Sequence, residues 1–67
     1  MADKTYKKVE VVGTSENSVS EAIQNAIDSA AESLDNLDWF ETSEIRGRIE
    51  NGNPTYQVSV KIGFRLE

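Results

Sequence analysis

The chain has 67 residues, twelve acidic and seven basic, for a net charge of -5, and it contains neither cysteine nor histidine. This length bounds a single domain, residues 1–67, that buries only about 60% of the surface its unfolded chain exposes; the missing residue types exclude disulfides, thiolate and imidazole metal sites, thiol catalysis and the usual neutral-pH general base. Net negative charge opposes generic attachment to nucleic acid or anionic membranes; with disulfides and those metal sites excluded, self-association is the support expected for a core this small.

Tyr6 to Ser15 is rich in β-branched residues and closes on Gly13-Thr14-Ser15, which predicts a first strand with Val9 and Val11 on one face. Ser18 followed by Glu21 is a capping-box pattern placed directly before an apolar periodicity, so a helix starts there. Val19, Ala22, Ile23, Ala26, Ile27, Ala30, Ala31 and Leu34 keep the spacing of one helical face. Four of these eight are alanines, which favour the helix and let it approach a sheet closely. The stripe predicts a helix ending around Asp35-Asn36, with Asn36 as the C-cap because asparagine tolerates the left-handed conformation.

Phe40 to Glu50 and Thr55 to Leu66 read as second and third strands. Asn51-Gly52-Asn53-Pro54 joins them, and Pro54 favours a four-residue loop over a tight two-residue turn. The third strand alternates without exception, with Tyr56, Val58, Val60, Ile62, Phe64 and Leu66 on the face that must meet the helix. The second strand does not. Ile45 and Ile49 share parity with Trp39, whereas Phe40 shares parity with Arg46 and Arg48, so either a bulge changes the phase or both faces are covered. A helix of roughly 26 Å cannot cover a strand of roughly 40 Å unless the sheet curls around it. The fold class is therefore α+β, a β-α-β-β chain whose overhang needs neighbours.

Charge is divided along the chain: between Val9 and Ile45 there is no Lys or Arg, while nine of the twelve acids lie there. No apolar run approaches the ~18–20 residues that span a bilayer, and Met1-Ala2-Asp3-Lys4 shows no secretory apolar segment, so the expectation is a cytoplasmic protein without membrane or nucleic-acid partners.

Two features offer chemistry. The polar face of the third strand, Gln57, Ser59, Lys61, Gly63 and Arg65, combines hydrogen-bonding groups, cations and small residues; it is either a solvated face or a place where a flat ligand approaches the backbone. Gln57 suits the mixed donor and acceptor edge of a heteroaromatic ring, and Arg46, Arg48 and Arg65 suit a phosphate or carboxylate. Trp39, the single tryptophan, is either a core anchor or a stacking face. If Phe40 points to the helix, Trp39 points away from it. Acid groups such as Asp28 with Glu32 lack the spacing of a calcium loop, and no hydroxyl has an activating base, so the chain does not read as an enzyme.

Taken together, Tyr6–Ser15, the helix, Leu37-Asp38-Trp39-Phe40-Glu41, Glu44-Ile45-Arg46-Gly47, Tyr56-Gln57-Val58 and Val60-Lys61-Ile62-Gly63-Phe64 resemble the dodecin family of small flavin-binding proteins over nearly the full length. The resemblance implies a three-stranded antiparallel sheet wrapped around one helix, and a homododecamer forming a hollow shell. It implies flavin pairs between subunits, each ring stacked on the residue matching Trp39 and hydrogen-bonded by the one matching Gln57. In bacterial-type members the positions matching Arg46 and Arg65 line the flavin site, which suits FMN over uncharged flavins; the cofactor implied is FMN or riboflavin, with FAD a further candidate. Some members also bind coenzyme A near positions matching Lys4, Tyr6 and Asp28 to Leu34; Asp28 and Glu32 are acidic here and argue against that transfer. The function implied is flavin storage and photoprotection without turnover. The alternatives are a homo-oligomeric interaction module with Trp39 as an interface anchor and no ligand, and, with less to support it, a flavin-dependent oxidoreductase.

Overall fold

The computed structural model describes residues 3–66, so Met1 and Ala2 of the N-terminal segment considered above lie outside the described residues. Strand β1 spans Tyr6–Ser15, helix α1 Val19–Ala31, strand β2 Leu37–Glu50 and strand β3 Asn53–Arg65. The three strands form one antiparallel sheet in the order β1-β3-β2, so β3 is central and β2 is an edge. Among the described residues no helix is long and apolar enough to cross a membrane.

Entry to the helix follows from its sequence. Ser18 caps it, its hydroxyl accepting from the Glu21 amide at 3.0 Å. The Glu21 carboxylate closes the box through its neighbours, accepting from the Ser15 hydroxyl and from Asn17 Nδ2, while Ser15 Oγ accepts from the Asn17 and Ser18 amides. Two polar side chains thus satisfy backbone donors that a helix start leaves unpaired. The hydrogen bonds from Ser15 and Asn17 hold the Glu21 carboxyl below its usual pKa. A lowered folded-state pKa means that this stabilisation is complete above the ordinary glutamate value, about 4.3, and is lost as pH falls through the lowered one. Acid unfolding of Glu21→Gln, followed by circular dichroism, should accordingly show a shallower pH dependence below about 4.3 than the wild type.

The far end of the helix differs from expectation. The helix stops at Ala31 with Glu32 as C-cap, because the ladder tightens: the Glu32 amide bonds Ser29 O, the Ser33 amide bonds Ala30 O, and the Leu34 amide also reaches Ala30 O. Asn36 does adopt the left-handed conformation, at φ 62°, but as a joint to β2, not as the cap. Its carbonyl accepts from the Arg65 amide at 3.1 Å, which fastens the start of β2 to the end of β3.

The hairpin is also tighter than Pro54 suggested. Glu50 faces Asn53, and the two residues between them, Asn51 and Gly52, have φ of 53° and 79°, as a two-residue turn of the primed type requires. Pro54 sits inside β3 opposite Ile49. In that non-hydrogen-bonded position its nitrogen faces the β1 side, where β1 has already ended at the Ser15 and Tyr56 pair. No ladder bond is lost.

Helix α1 packs on β1 and β3. Ala22, Ala26 and Ala30 meet Val58, Val60 and Ile62, and these six are the fully buried apolar residues among those described. Gly13 makes the close crossing possible, since a Cβ there would overlap the Ala22 carbonyl. Beyond the helix lies β2. Of its fourteen residues, Leu37 alone is half-buried and the others are exposed.

Extra residues at Asp38 and Ser43 resolve the parity conflict in β2 through bulges. The second one brings Phe40, opposite Ile62, onto the same face as Ile45, opposite Val58, and Ile49, opposite Pro54. That is the helix-facing side, yet the helix does not reach it, and the three are 48%, 58% and 82% exposed. The radius of gyration is 13.9 Å, against about 11 Å for a compact domain of this length.

Candidate functional site

The face of the sheet turned away from the helix takes alternate residues from all three strands. Lys8, Gly63 and Trp39 form one row across it; Glu10, Lys61 and Glu41 form the next; Thr14, Gln57 and Arg46 form a row near the hairpin end. The bulge at Asp38 is what splits Leu37 from Trp39. Leu37 packs on the core, while Trp39 turns outward and stays 41% exposed.

The indole rests on the strand beneath it. A Cβ at Gly63 would overlap Cε2 and Cζ2 of Trp39, so only a glycine lets the ring lie over β3 at this point. Lys8 Nζ stands over the ring, 5.7 Å from its centroid, and is held by Glu41 Oε1 at 3.2 Å. Beside it the Tyr6 hydroxyl donates to Asp38, and that carboxylate raises the Tyr6 pKa; the charge of Arg65, directly across from Tyr6, acts in the opposite sense. Gly63→Ala is expected to lift the indole from the strand, costing about 1–3 kcal/mol by overpacking and moving the emission of this single tryptophan to the red. An unshifted emission would mean that the ring does not depend on Gly63.

Gln57 and Arg46 are brought together at the other end, where Arg46 Nε donates to Gln57 Oε1 at 3.0 Å. Gln57 borders a cleft of about 490 Å³ whose lining also includes Asn25, Arg48 and the carboxylates of Glu16, Glu21 and Glu50. Between the two ends the face is mainly acidic: Glu10 and Glu41 flank Lys61, and Ser43 Oγ donates to Glu10 Oε2 at 2.8 Å. Apart from Lys61, the cations of this face sit at the ends, with Lys8 and Arg65 near Trp39 and Arg46 and Arg48 near Gln57.

The four residues singled out from sequence thus fall into two pairs, Trp39 with Arg65 and Gln57 with Arg46. Trp39 is opposite Gly63, six residues from Gln57 along β3, a separation of about 20 Å at strand spacing. No flat ring bridges that distance. A ligand stacked on Trp39 can be read by a Gln57 only if the glutamine comes from another copy of the chain. Lys8 was not anticipated beside Trp39, because the placement of β1 next to β3 is not written in either strand's own pattern.

The sequence matches the Dodecin family profile over residues 5–67. A dodecin from Thermus thermophilus is 57% identical over 65 residues, covering 96% of this chain and 94% of that protein. The crystal structure of the Thermus thermophilus tt0972 protein superposes with a TM-score of 0.93 at 53% identity, covering 97% of each chain. The dodecin of Streptomyces davaonensis does so with a TM-score of 0.94 at 45% identity, covering 98% of each chain.

Proposed function

The chain belongs to the dodecin family, and from that premise we propose that it binds a flavin, FMN, riboflavin or FAD, between subunits of a homododecamer and serves to store and photoprotect it in the cytoplasm. The observation that carries this reading is the outward Trp39 laid over Gly63 some 20 Å from Gln57 on the same chain. In this reading Trp39 stacks on the isoalloxazine, Gln57 of a second copy meets the ring edge, and Arg46 and Arg65 take the phosphate or tail. Stacking on an electron-rich indole allows one electron to pass to the photoexcited ring and return. Both groups end unchanged, so excitation is dissipated without catalysis.

The exposed row Phe40, Ile45 and Ile49 supports the assembly half of the proposal. It lies along an unpaired edge strand, which is a template for association. The same row weighs against a ligand-free module anchored by Trp39, since it offers an exposed apolar surface for association on the opposite face of the sheet. Coenzyme A is left out of the proposal: Asp28 and Glu32 are acidic in the segment that the family resemblance associates with that anionic ligand.

Absorbance and mass of the ligand released on denaturing protein purified from its own cell test the reading. An isoalloxazine spectrum with the mass of FMN, riboflavin or FAD is expected. A different chromophore released from the Trp39 site would contradict it.

A further inference from the structure

Arg46 and Gln57 face each other directly across β2 and β3, both on the outward side of the sheet. The contact between them constrains Gln57 more than it constrains Arg46. A glutamine amide is nearly symmetric in shape, and a half-turn about its last torsion exchanges oxygen and nitrogen. Isolated on a strand, Gln57 would populate both arrangements and offer a ring edge either order of donor and acceptor. Arginine only donates. Because Arg46 Nε meets the amide at 3.0 Å, the atom it meets has to be Oε1, and one of the two arrangements is selected.

We propose that Arg46 is a positioning residue for Gln57, fixing which way the amide presents its donor and its acceptor, and so acts on recognition of the flavin ring itself as well as on any phosphate. The inference rests on the flavin reading above and deepens it. One lone pair of Oε1 is occupied by Arg46, while the second lone pair and both Nε2 protons stay available in a fixed order. That order matches an imide edge, where carbonyl and N–H alternate, in one orientation of the ring. The guanidinium uses Nε for this contact, and a lysine carries its nitrogen one bond farther along a flexible stem, so it does not reproduce the same fixed geometry.

The ligand that separates the two roles is riboflavin, which has no phosphate. Riboflavin and FMN are titrated into the wild type, Arg46→Met, Arg46→Lys, Gln57→Ala and the double variant Arg46→Met with Gln57→Ala, each checked by light scattering for wild-type mass. Arg46→Met is expected to weaken riboflavin about three- to tenfold, Arg46→Lys is expected to do the same, and Arg46→Met is expected to have no further effect once Gln57 is alanine. Loss of FMN affinity alone, with riboflavin unchanged, overturns the proposal and returns Arg46 to the phosphate. So does restoration of riboflavin binding by Arg46→Lys, or an equal loss with and without Gln57. A wild type that binds neither flavin overturns the flavin reading itself, and this inference with it.

Discussion

Replacing Trp39 with alanine is expected to weaken flavin binding by roughly ten- to a hundredfold, since stacking of a heteroaromatic ring on an aromatic side chain contributes about 1–3 kcal/mol. The fold should survive: the side chain is on the outward face, 41% exposed, and outside the buried cluster. Trp39→Phe separates two consequences of the same contact. Phenylalanine keeps a flat partner for the ring, so affinity should fall by less than about tenfold. It is a much poorer electron donor than indole, so bound flavin should regain emission. Fluorescence anisotropy reports binding and the excited-state lifetime reports quenching. If Trp39→Phe quenches as completely as the wild type, electron transfer from the indole is not the protective step.

The second large effect concerns the row that the helix leaves bare. Phe40→Asp combined with Ile45→Asp is expected to break the assembly, because each apolar side chain transferred from water into an interface contributes about 1.5–3 kcal/mol, and the loss recurs at every copy of the interface. Twelve chains of 7.5 kDa run at roughly 90 kDa; the variant should run well below that. Flavin affinity should vanish along with the assembly although Trp39, Gln57, Arg46 and Arg65 are untouched, because Trp39 and Gln57 of one chain are too far apart to share a ring. Unfolding of the remaining species should depend on protein concentration less steeply than that of the wild type. A variant that keeps the full mass would show that this row is not an interface.

Patterns confined to one element were the legible part of the fold. The bounds of β1, the Ser18 cap and the alternation of β3 all follow from local spacing, and local forces set them. What was missed depends on where backbone hydrogen bonds go. Leu34 continues the apolar stripe and remains against the core, yet the chain there has already switched to shorter-range bonding, and a stripe of side chains does not register that change. A proline breaks a ladder, so Pro54 alone predicts a loop; its place in β3 is harmless only because β1 stops short of it, a fact about a strand roughly forty residues away. The clash of parity between Phe40 and Ile45 did signal an irregularity in β2, but nothing in the local sequence pointed to Ser43 as the extra residue.

The site divides in the same way. That Trp39 and Phe40 point to opposite faces is legible from strand parity. Their surroundings are not, since Gly63 beneath the indole and Lys8 above it come from two other strands whose register is set by the whole sheet. The pairing of Arg46 with Gln57 likewise needed the hairpin register, which the tight Asn51-Gly52 turn fixes.

Titrating riboflavin or FMN with the wild-type protein while following flavin emission tests the central claim most directly. Stacking on Trp39 predicts saturable and nearly complete quenching, with at most one flavin per chain. Emission that stays undiminished through an excess of assembled protein would contradict it.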